Sequence, residues 1–357
     1  MNICIYCPEP ADTREHVLPA AFGEFKGAPY LEERICHCCN NRLGLLDEQF
    51  ARCGPEGFLR RHYDVRGRST HMEINPFYRG SAGGFRLEML AHDPQLGFDV
   101  LLECVDGKYQ QARQLIFVEE SGTTHHLPFI KGITAQDLRT HFEELHVNKP
   151  FDTHIICAPD EEDWVNSLIK EAWPQSTRGT SVPPSTSYQG AVTKVVLTDR
   201  YFRAVAKITF HYFLSQFPNF TGHEPMFARI REFILTDGQL VDRANDFVGI
   251  RQTPLMGEMM APGARPSGWR AHILCAESRP DACLAYVQMF LTEDWPAPTY
   301  VVTLGTNSAI ANSSAVGHAF LYYPDGPRGQ YAGETQPLGV SRSNLPSGPP
   351  SPAVKLP

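Results

Sequence analysis

The alternation of apolar and polar residues in the first half of the chain predicts strands more than helices. Between residues 72 and 158, short apolar segments are separated by Gly, Asp and Pro, as is typical of an antiparallel sheet. The clearest of these segments are 85–90, 98–104 and 114–118. A helix is predicted over 160–173, because its acidic first turn suits the helix dipole.

The second half contains one strong helical pattern followed by further strands. Over 199–217, apolar residues recur at helical spacing on one face. They are Tyr201, Val205, Ile208, Tyr212 and Phe213. A second helix is predicted at 225–235, and strands are predicted at 269–275, 285–291, 299–304 and 319–323. The predicted fold class is therefore α+β.

The N-terminal residues predict a smaller unit of two short strands and one helix. Residues 1–35 contain breaks at Pro19, Gly23 and Gly27, which exclude a long helix there. A helix is predicted from Asn40, a good N-cap residue, to the Gly54-Pro55 pair. Its apolar face is formed by Leu43, Leu46 and Phe50.

Composition and charge narrow the class of protein. With 42% hydrophobic and 20% charged residues, the chain fits a globular protein. Its 357 residues are enough for two domains, or for one large domain with a small appendage. Its apolar runs are too short for a membrane span, and no basic leader precedes them. We therefore expect a cytoplasmic protein without a membrane partner.

The net charge of −8 is unfavourable for phosphate binding, but residues 52–79 carry a local excess of positive charge. This stretch contains six arginines but only three acidic residues. The arginines are Arg52, Arg60, Arg61, Arg66, Arg68 and Arg79, and the acids are Glu56, Asp64 and Glu73. Both a phosphate-binding segment and a solvated loop fit this pattern.

Four cysteines predict a structural zinc site near the N-terminus. Cys4 and Cys7 form one C-x-x-C pair, and Cys36 and Cys39 form a second. Two such pairs supply four thiolates for tetrahedral zinc, which would hold a segment too small to fold alone. Cys38 is an alternative to Cys39, but Cys39 repeats the spacing of the first pair. Buried core positions are expected for Cys53, Cys104, Cys157, Cys275 and Cys283.

Between the two pairs lies Glu15-His16, and Asn40 follows the last cysteine directly. Together with the cysteines, these residues resemble the HNH endonucleases of the ββα-metal type, in the subtype with four zinc cysteines. The resemblance covers residues 1–55. It implies hydrolysis of phosphodiester bonds, with His16 as the general base. It also implies Mg²⁺ or Mn²⁺ on the oxygen donors of Glu15 and Asn40.

The chain departs from the pattern of that family at two places. No asparagine lies within 17–35, where many members carry one, and no histidine follows on the helix. Of the residues on the next turns, Asp47 lies on the face that can reach Asn40, so it is a further candidate ligand for the cation. Adjacent strand residues point to opposite faces, so Glu15 and His16 converge only if a bulge or loop intervenes.

These observations predict an HNH-type zinc domain over 1–70, an α+β body over 71–323 with a joint near 181–190, and a flexible tail over 324–357. The tail is rich in Pro, Gly and Ser. The expected partner is nucleic acid, DNA in preference to RNA, and a homo-oligomer is left open. The alternative is a non-catalytic zinc module that binds nucleic acid or protein and is attached to a regulatory or sensor body.

Overall fold

The N-terminal elements have the order strand, strand, helix. A computed structural model describes residues 2–52, 54–65, 86–105, 108–128, 133–144, 146, 151–174, 179–182, 189–197, 199–236, 246–251, 269–292, 297–306, 313–323, 332–340 and 345. The first elements are β1 (Arg14–His16), β2 (Phe25–Lys26), β3 (Tyr30–Glu32), α1 (His37–Arg52) and α2 (Gly54–His62). Strands β1 and β3 pair antiparallel, and α1 follows directly.

Helix α1 begins at His37 and not at the predicted N-cap Asn40, so the predicted helix start is wrong by three residues. The sulfur of Cys36 accepts a hydrogen bond from the Cys39 N–H at 3.4 Å, and Asp12 Oδ1 accepts one from the His37 N–H. These two acceptors satisfy N–H groups of the first turn, which Asn40 would otherwise have to cap. Asn40 is therefore inside the helix.

Two four-stranded sheets follow. The first has the order β11-β4-β5-β6, and the second has the order β10-β9-β7-β8. Their strands are β4 (Arg86–Asp93), β5 (Phe98–Val105), β6 (Lys108–Gln111), β7 (Gln114–Glu119), β8 (Thr124–Pro128), β9 (Phe151–Ile156), β10 (Thr180–Ser181) and β11 (Gln189–Val196). The predicted strands at 85–90, 98–104 and 114–118 are confirmed.

Helices α3 (Ala135–Glu144) and α4 (Glu162–Ala172) pack on the second of these sheets. The predicted helix over 160–173 is thus confirmed, whereas α3 has no counterpart in the sequence prediction. The shared core contains Phe117 from β7, Leu138 from α3 and Ile169 from α4. Burial of such apolar side chains holds the helices on the sheet.

Helix α5 (Asp199–Gln216) is the centre of the remaining structure, and every residue from Tyr201 to Leu214 is buried. It contacts α1 and β3 as well as the large sheet. A 3₁₀ turn over Pro225–Phe227 leads into α6 (Ala228–Leu235). Both predicted helices are confirmed, and α5 is buried on all sides because different elements cover its different faces.

The large sheet has seven strands in the order β12-β15-β14-β13-β16-β17-β2. The strands not yet introduced are β12 (Val248–Arg251), β13 (Arg270–Ser278), β14 (Ala282–Thr292), β15 (Thr299–Thr306), β16 (Ser314–Tyr322) and β17 (Gly333–Leu338). The four predicted strands correspond to β13, β14, β15 and β16. At one edge, β2 pairs parallel with β17, so the N-terminal segment extends the sheet.

The position of β17 corrects one prediction. Residues 324–357 were expected to form a flexible tail, but 333–338 are hydrogen-bonded between β16 and β2. The prediction is wrong for this segment, because pairing with distant strands outweighs its Pro- and Gly-rich composition. Most of the remaining tail lies outside the described residues.

One hydrophobic core joins the N-terminal elements, α5 and the large sheet. The ring of Phe22 lies 5.6 Å from that of Phe50 and 5.8 Å from that of Phe290, and Phe50 lies 5.1 Å from Tyr201. The α+β class is confirmed. The predicted boundary at residue 70 and most of the joint near 181–190 lie outside the described residues. Among the described helices, none is long and apolar enough to cross a membrane.

Candidate metal centre and the neighbouring buried charges

The structure brings the four predicted zinc cysteines together. The sulfurs of Cys4, Cys7, Cys36 and Cys39 lie within 4.8 Å of one another. Cys7 Sγ is 3.5 Å from both Cys36 Sγ and Cys39 Sγ. Sulfurs on tetrahedral zinc, each about 2.3 Å from the ion, are separated by somewhat less than 4 Å, so these residues fit a zinc ion.

In each cysteine pair, a backbone N–H donates a hydrogen bond to the sulfur of the first cysteine. The Tyr6 N–H donates to Cys4 Sγ, and the Cys39 N–H donates to Cys36 Sγ, both at 3.4 Å. Such hydrogen bonds favour thiolate sulfur, which is the form that binds metal. Burial raises the pKa of Cys39, and the neighbouring thiols raise it further. Four crowded thiols therefore need a cation before all of them can ionise together.

The choice between Cys38 and Cys39 is settled by their positions. Cys39 is buried in the cluster, whereas Cys38 is exposed and outside it. The expected core positions are confirmed for Cys157, Cys275 and Cys283, which are all buried. Cys53 and the side chain of Cys104 lie outside the part of the chain that the structure describes.

Strand β1 is regular, and this separates Glu15 from His16. Its residues pair in register with β3, with Glu15 opposite Leu31 and His16 opposite Tyr30. Side chains alternate along a strand, so Glu15 and Leu31 face the core and are buried. His16 lies on the outer face, with its ring 4.7 Å from that of Tyr30.

The carboxylate of Glu15 belongs to a buried charge network with a lysine from α5. Lys207 Nζ donates to Glu15 Oε1 and to Asp47 Oδ2, each at 2.5 Å. The lysine side chain is 0% exposed, and those of Glu15 and Asp47 are 11% and 17% exposed. The sequence thus predicted two acids that lie close together, but it did not predict the Lys207 ammonium between them.

The electrostatics of this network follow from burial. Burial would lower the pKa of Lys207, but the charges of Asp47 and Glu15 raise it, so the ammonium stays charged. Burial raises the pKa of Asp47 to about 6 against the attraction of Lys207. Asp47 Oδ1 is buried without a hydrogen-bond partner among the described residues.

A second contact ties the cysteine cluster to α5. The hydroxyl of Tyr6, which lies between Cys4 and Cys7, hydrogen-bonds with His211 Nε2 at 2.8 Å. His211 is one helical turn beyond Lys207 and is fully buried. Burial and the Lys207 charge lower the pKa of His211 well below its ordinary value, so the imidazole is neutral. The first cysteine pair and the charge network therefore share α5 as their support.

Asn40 is half-buried in the first turn of α1, where its N–H donates to the Cys36 carbonyl. Within the described residues, its side chain makes no hydrogen bond with Glu15 or Asp47. Of the four predicted site residues, the structure thus brings Glu15 and Asp47 together at Lys207. It places His16 on the opposite face of β1, and Asn40 follows Cys39 in the first turn of α1.

The described arginines of the stretch 52–79 make contacts within the protein. Arg60 is buried and donates to the Ala51 carbonyl at 2.5 Å, and Arg61 forms a salt bridge with Glu103 at 3.0 Å. Arg52 pairs with Glu48 one turn earlier on α1. The side chains of Arg66, Arg68 and Arg79 lie outside the described residues.

No match for this chain was found among protein-family models, curated proteins or solved structures.

Proposed function

We propose that this chain is an HNH-type endonuclease that hydrolyses phosphodiester bonds of nucleic acid, DNA in preference to RNA. The observation that carries the proposal is the arrangement of the N-terminal unit. A hairpin bearing Glu15-His16 is followed by a helix whose first turn carries Asn40. Of the two cysteine pairs, one precedes the hairpin and the other is at the start of the helix, and the two meet in one cluster.

Zinc has a structural role in this proposal. Four thiolates complete a tetrahedral shell and leave no open position for water or substrate. The ion would hold the turn that carries Cys4 and Cys7 against the start of α1, and so fix the position of β1 between them. Zinc is thus the support of the site, and the chemistry belongs to the hairpin.

His16 is the proposed general base. An imidazole exchanges protons near neutral pH, so it can accept a proton from the water that attacks the phosphorus. Its place on the outer face of β1 supports this role, because a nucleic-acid strand has access only to the side of the hairpin away from the core.

A divalent cation would stabilise negative charge on the phosphate and on the leaving oxygen. The Glu15–Asp47 pair does not fit such an ion as it stands, because the Lys207 ammonium already lies between the two carboxylates. A cation on this pair therefore has no part in the proposed reaction. Of the predicted oxygen donors, Asn40 remains the proposed ligand for the divalent cation.

A plasmid-nicking assay tests the function. The zinc-loaded full chain is freed of loosely bound ions and assayed without metal, with Mg²⁺ and with Mn²⁺. We expect His16→Ala to lower the cleavage rate by about 100-fold or more, as for loss of a general base. His92→Ala is the matched control, since His92 is half-exposed and pairs with Asp99 on the remote β4–β5 hairpin. Cleavage by His16→Ala at the wild-type rate, with unchanged zinc content, would refute the proposal.

A second candidate function is a non-catalytic zinc module that binds nucleic acid. One observation favours it: Glu15, half of the Glu15-His16 pair, is turned away from His16 into a buried ion pair. Under this alternative, the wild-type protein binds oligonucleotides but cleaves none with either metal ion.

A further inference from the structure

The outer face of the β1–β3 hairpin carries three side chains, two of which contact the aromatic ring of the third. The guanidinium carbon of Arg14 lies 3.6 Å from the centroid of the Tyr30 ring, and the ring of His16 lies 4.7 Å from it. We refer to Arg14, His16 and Tyr30 as the hairpin face. The opposite face of the same strands carries Glu15 and Leu31, which are buried.

Arg14 is held in place while its charge stays in solvent. Its side chain is 62% exposed, although the guanidinium stacks on the aromatic ring. Stacking of this kind fixes a long side chain and leaves its N–H donors along the edge of the guanidinium. A fixed, exposed guanidinium is suited to bind phosphate oxygens.

The contact that Arg14 makes with an acid is of a kind that phosphate can replace. Arg14 Nε lies 3.2 Å from Glu32 Oε1, and the Glu32 side chain is 65% exposed. Surface ion pairs of this type contribute little to stability, so a phosphate can take the place of the carboxylate at low cost. Glu32 therefore competes with an incoming anion but does not block it.

The spacing along β1 relates Arg14 to His16. Residues two apart on a strand lie on the same face, with Cα atoms about 6.5–7 Å apart. Tyr30 is directly opposite His16 in the register, and its ring contacts both neighbours. A phosphate bound to the guanidinium of Arg14 thus lies beside the imidazole of His16.

We propose that the hairpin face is the nucleic-acid-binding surface of this protein. Arg14 contacts the phosphate next to His16, and Tyr30 positions both side chains. This inference rests on the proposed function, since it gives the substrate a place beside the proposed base. It also names two residues, Arg14 and Tyr30, that the Glu15-His16 and cysteine motifs do not include.

Binding measurements with a matched control test the surface. Arg229 is the control because it is 72% exposed, pairs with Asp246 at 3.1 Å and lies over Phe247 at 5.4 Å, but is on α6. Fluorescence anisotropy with labelled single-stranded DNA, duplex DNA and RNA of equal length is recorded over a range of NaCl concentrations. The three probes distinguish the class of nucleic acid.

We expect Arg14→Gln to weaken binding by about 5–50-fold and to lower the salt dependence by about one counterion. Arg229→Gln should bind as wild type does. Glu32→Gln should bind more tightly than wild type, because it removes the competing carboxylate. Tyr30→Leu should weaken binding in the same direction as Arg14→Gln, with zinc content and circular dichroism showing that each variant is folded.

The outcomes separate this inference from the proposed function. If wild type cleaves in a His16-dependent way but Arg14→Gln binds as tightly as Arg229→Gln, the hairpin face is overturned and the function stands. If wild type binds through Arg14 but cleaves nothing, the surface stands and the nuclease function fails. Absence of binding to all three probes overturns the surface.

Discussion

Replacement of Lys207 by methionine probes the buried network that anchors β1 and α1 to α5. Methionine keeps an unbranched apolar chain but removes the ammonium that lies 2.5 Å from both Glu15 and Asp47. Two carboxylates then face each other without their counter-ion. Removal of one partner from a buried ion pair costs about 3–5 kcal/mol, because the remaining charge is left uncompensated.

The environment of the acids places the expected loss near the lower end of this range. The side chains of Glu15 and Asp47 retain 11% and 17% exposure, so water can solvate them in part. We therefore expect Lys207→Met to lower the free energy of unfolding by about 3 kcal/mol at neutral pH. Some of the loss is relieved when one carboxylate takes up a proton.

The pH dependence has a definite sign. Burial already raises the pKa of Asp47 to about 6, and loss of the Lys207 charge raises it further. An acid with a raised pKa in the folded state keeps a proton that the unfolded state releases, so stability falls as pH rises through that window. The gap between wild type and Lys207→Met should accordingly be larger at pH 8 than at pH 5.

Urea unfolding of the zinc-loaded full chain, followed by far-UV circular dichroism at pH 5 and pH 8, measures this gap. Amide hydrogen exchange locates the loss, which we expect in β1, α1 and α5. The control is the triple variant Glu15→Gln, Asp47→Asn, Lys207→Met, which has no buried charge at this place. It should recover most of the lost stability, because neutral partners need no counter-ion. Wild-type stability of Lys207→Met at pH 8 would refute the reasoning.

Two further predictions concern the cysteine cluster and a buried acid. Cys39→Ser should lower bound zinc well below one equivalent in metal analysis, whereas Cys38→Ser, at an exposed position outside the cluster, should bind one equivalent; equal zinc in both variants would contradict the assignment. Burial raises the pKa of Glu56 to about 8, and an oxygen of its carboxyl group accepts a hydrogen bond from the Tyr201 hydroxyl at 2.6 Å. The Glu56 carboxyl group keeps its proton in the folded state up to about pH 8 but loses it in the unfolded state. The free energy of unfolding should therefore fall by about 1.4 kcal/mol per pH unit as pH rises from 5 to 8. Glu56→Gln should remove that slope in urea unfolding, and an unchanged slope would show that Glu56 is ionised in the folded state.

The sequence predicted the parts of the structure that depend on near neighbours. The spacing of the cysteine pairs selected the four residues that cluster, because each C-x-x-C turn is set by a few backbone hydrogen bonds. Periodicity located α5 and strands β13 to β16, since each shows its own apolar pattern. The start of α1 was misplaced because a thiol, not Asn40, accepts the first-turn hydrogen bond.

Contacts between distant residues were not predicted. Lys207 is 192 residues from Glu15 in the chain, and no local pattern relates them. A signal was nevertheless present in α5. Arg203, Lys207 and His211 follow one another at four-residue spacing inside an apolar helix, and all three are buried. A row of basic residues in such a helix indicates buried hydrogen-bond partners. Arg203 donates to the Phe233 and Ile234 carbonyls, Lys207 to two carboxylates, and His211 hydrogen-bonds with Tyr6.

The two-residue period of β1 explains how one short motif can serve two purposes. Glu15 faces inward, and Lys207 ties it to α5, so the strand is fixed to the core of the protein. His16 and Arg14 face outward on the same strand, where the proposed chemistry and the proposed nucleic-acid contact are placed. A rigid inner contact limits the movement of the outer side chains, because a strand fixed on one face cannot rotate about its axis. Under the proposed function, Glu15 supports His16 through the backbone, and the charge network contributes to the proposed site without contacting the proposed substrate. The same geometry implies that Glu15→Gln acts on stability before it acts on the chemistry of His16, whereas His16→Ala does the reverse.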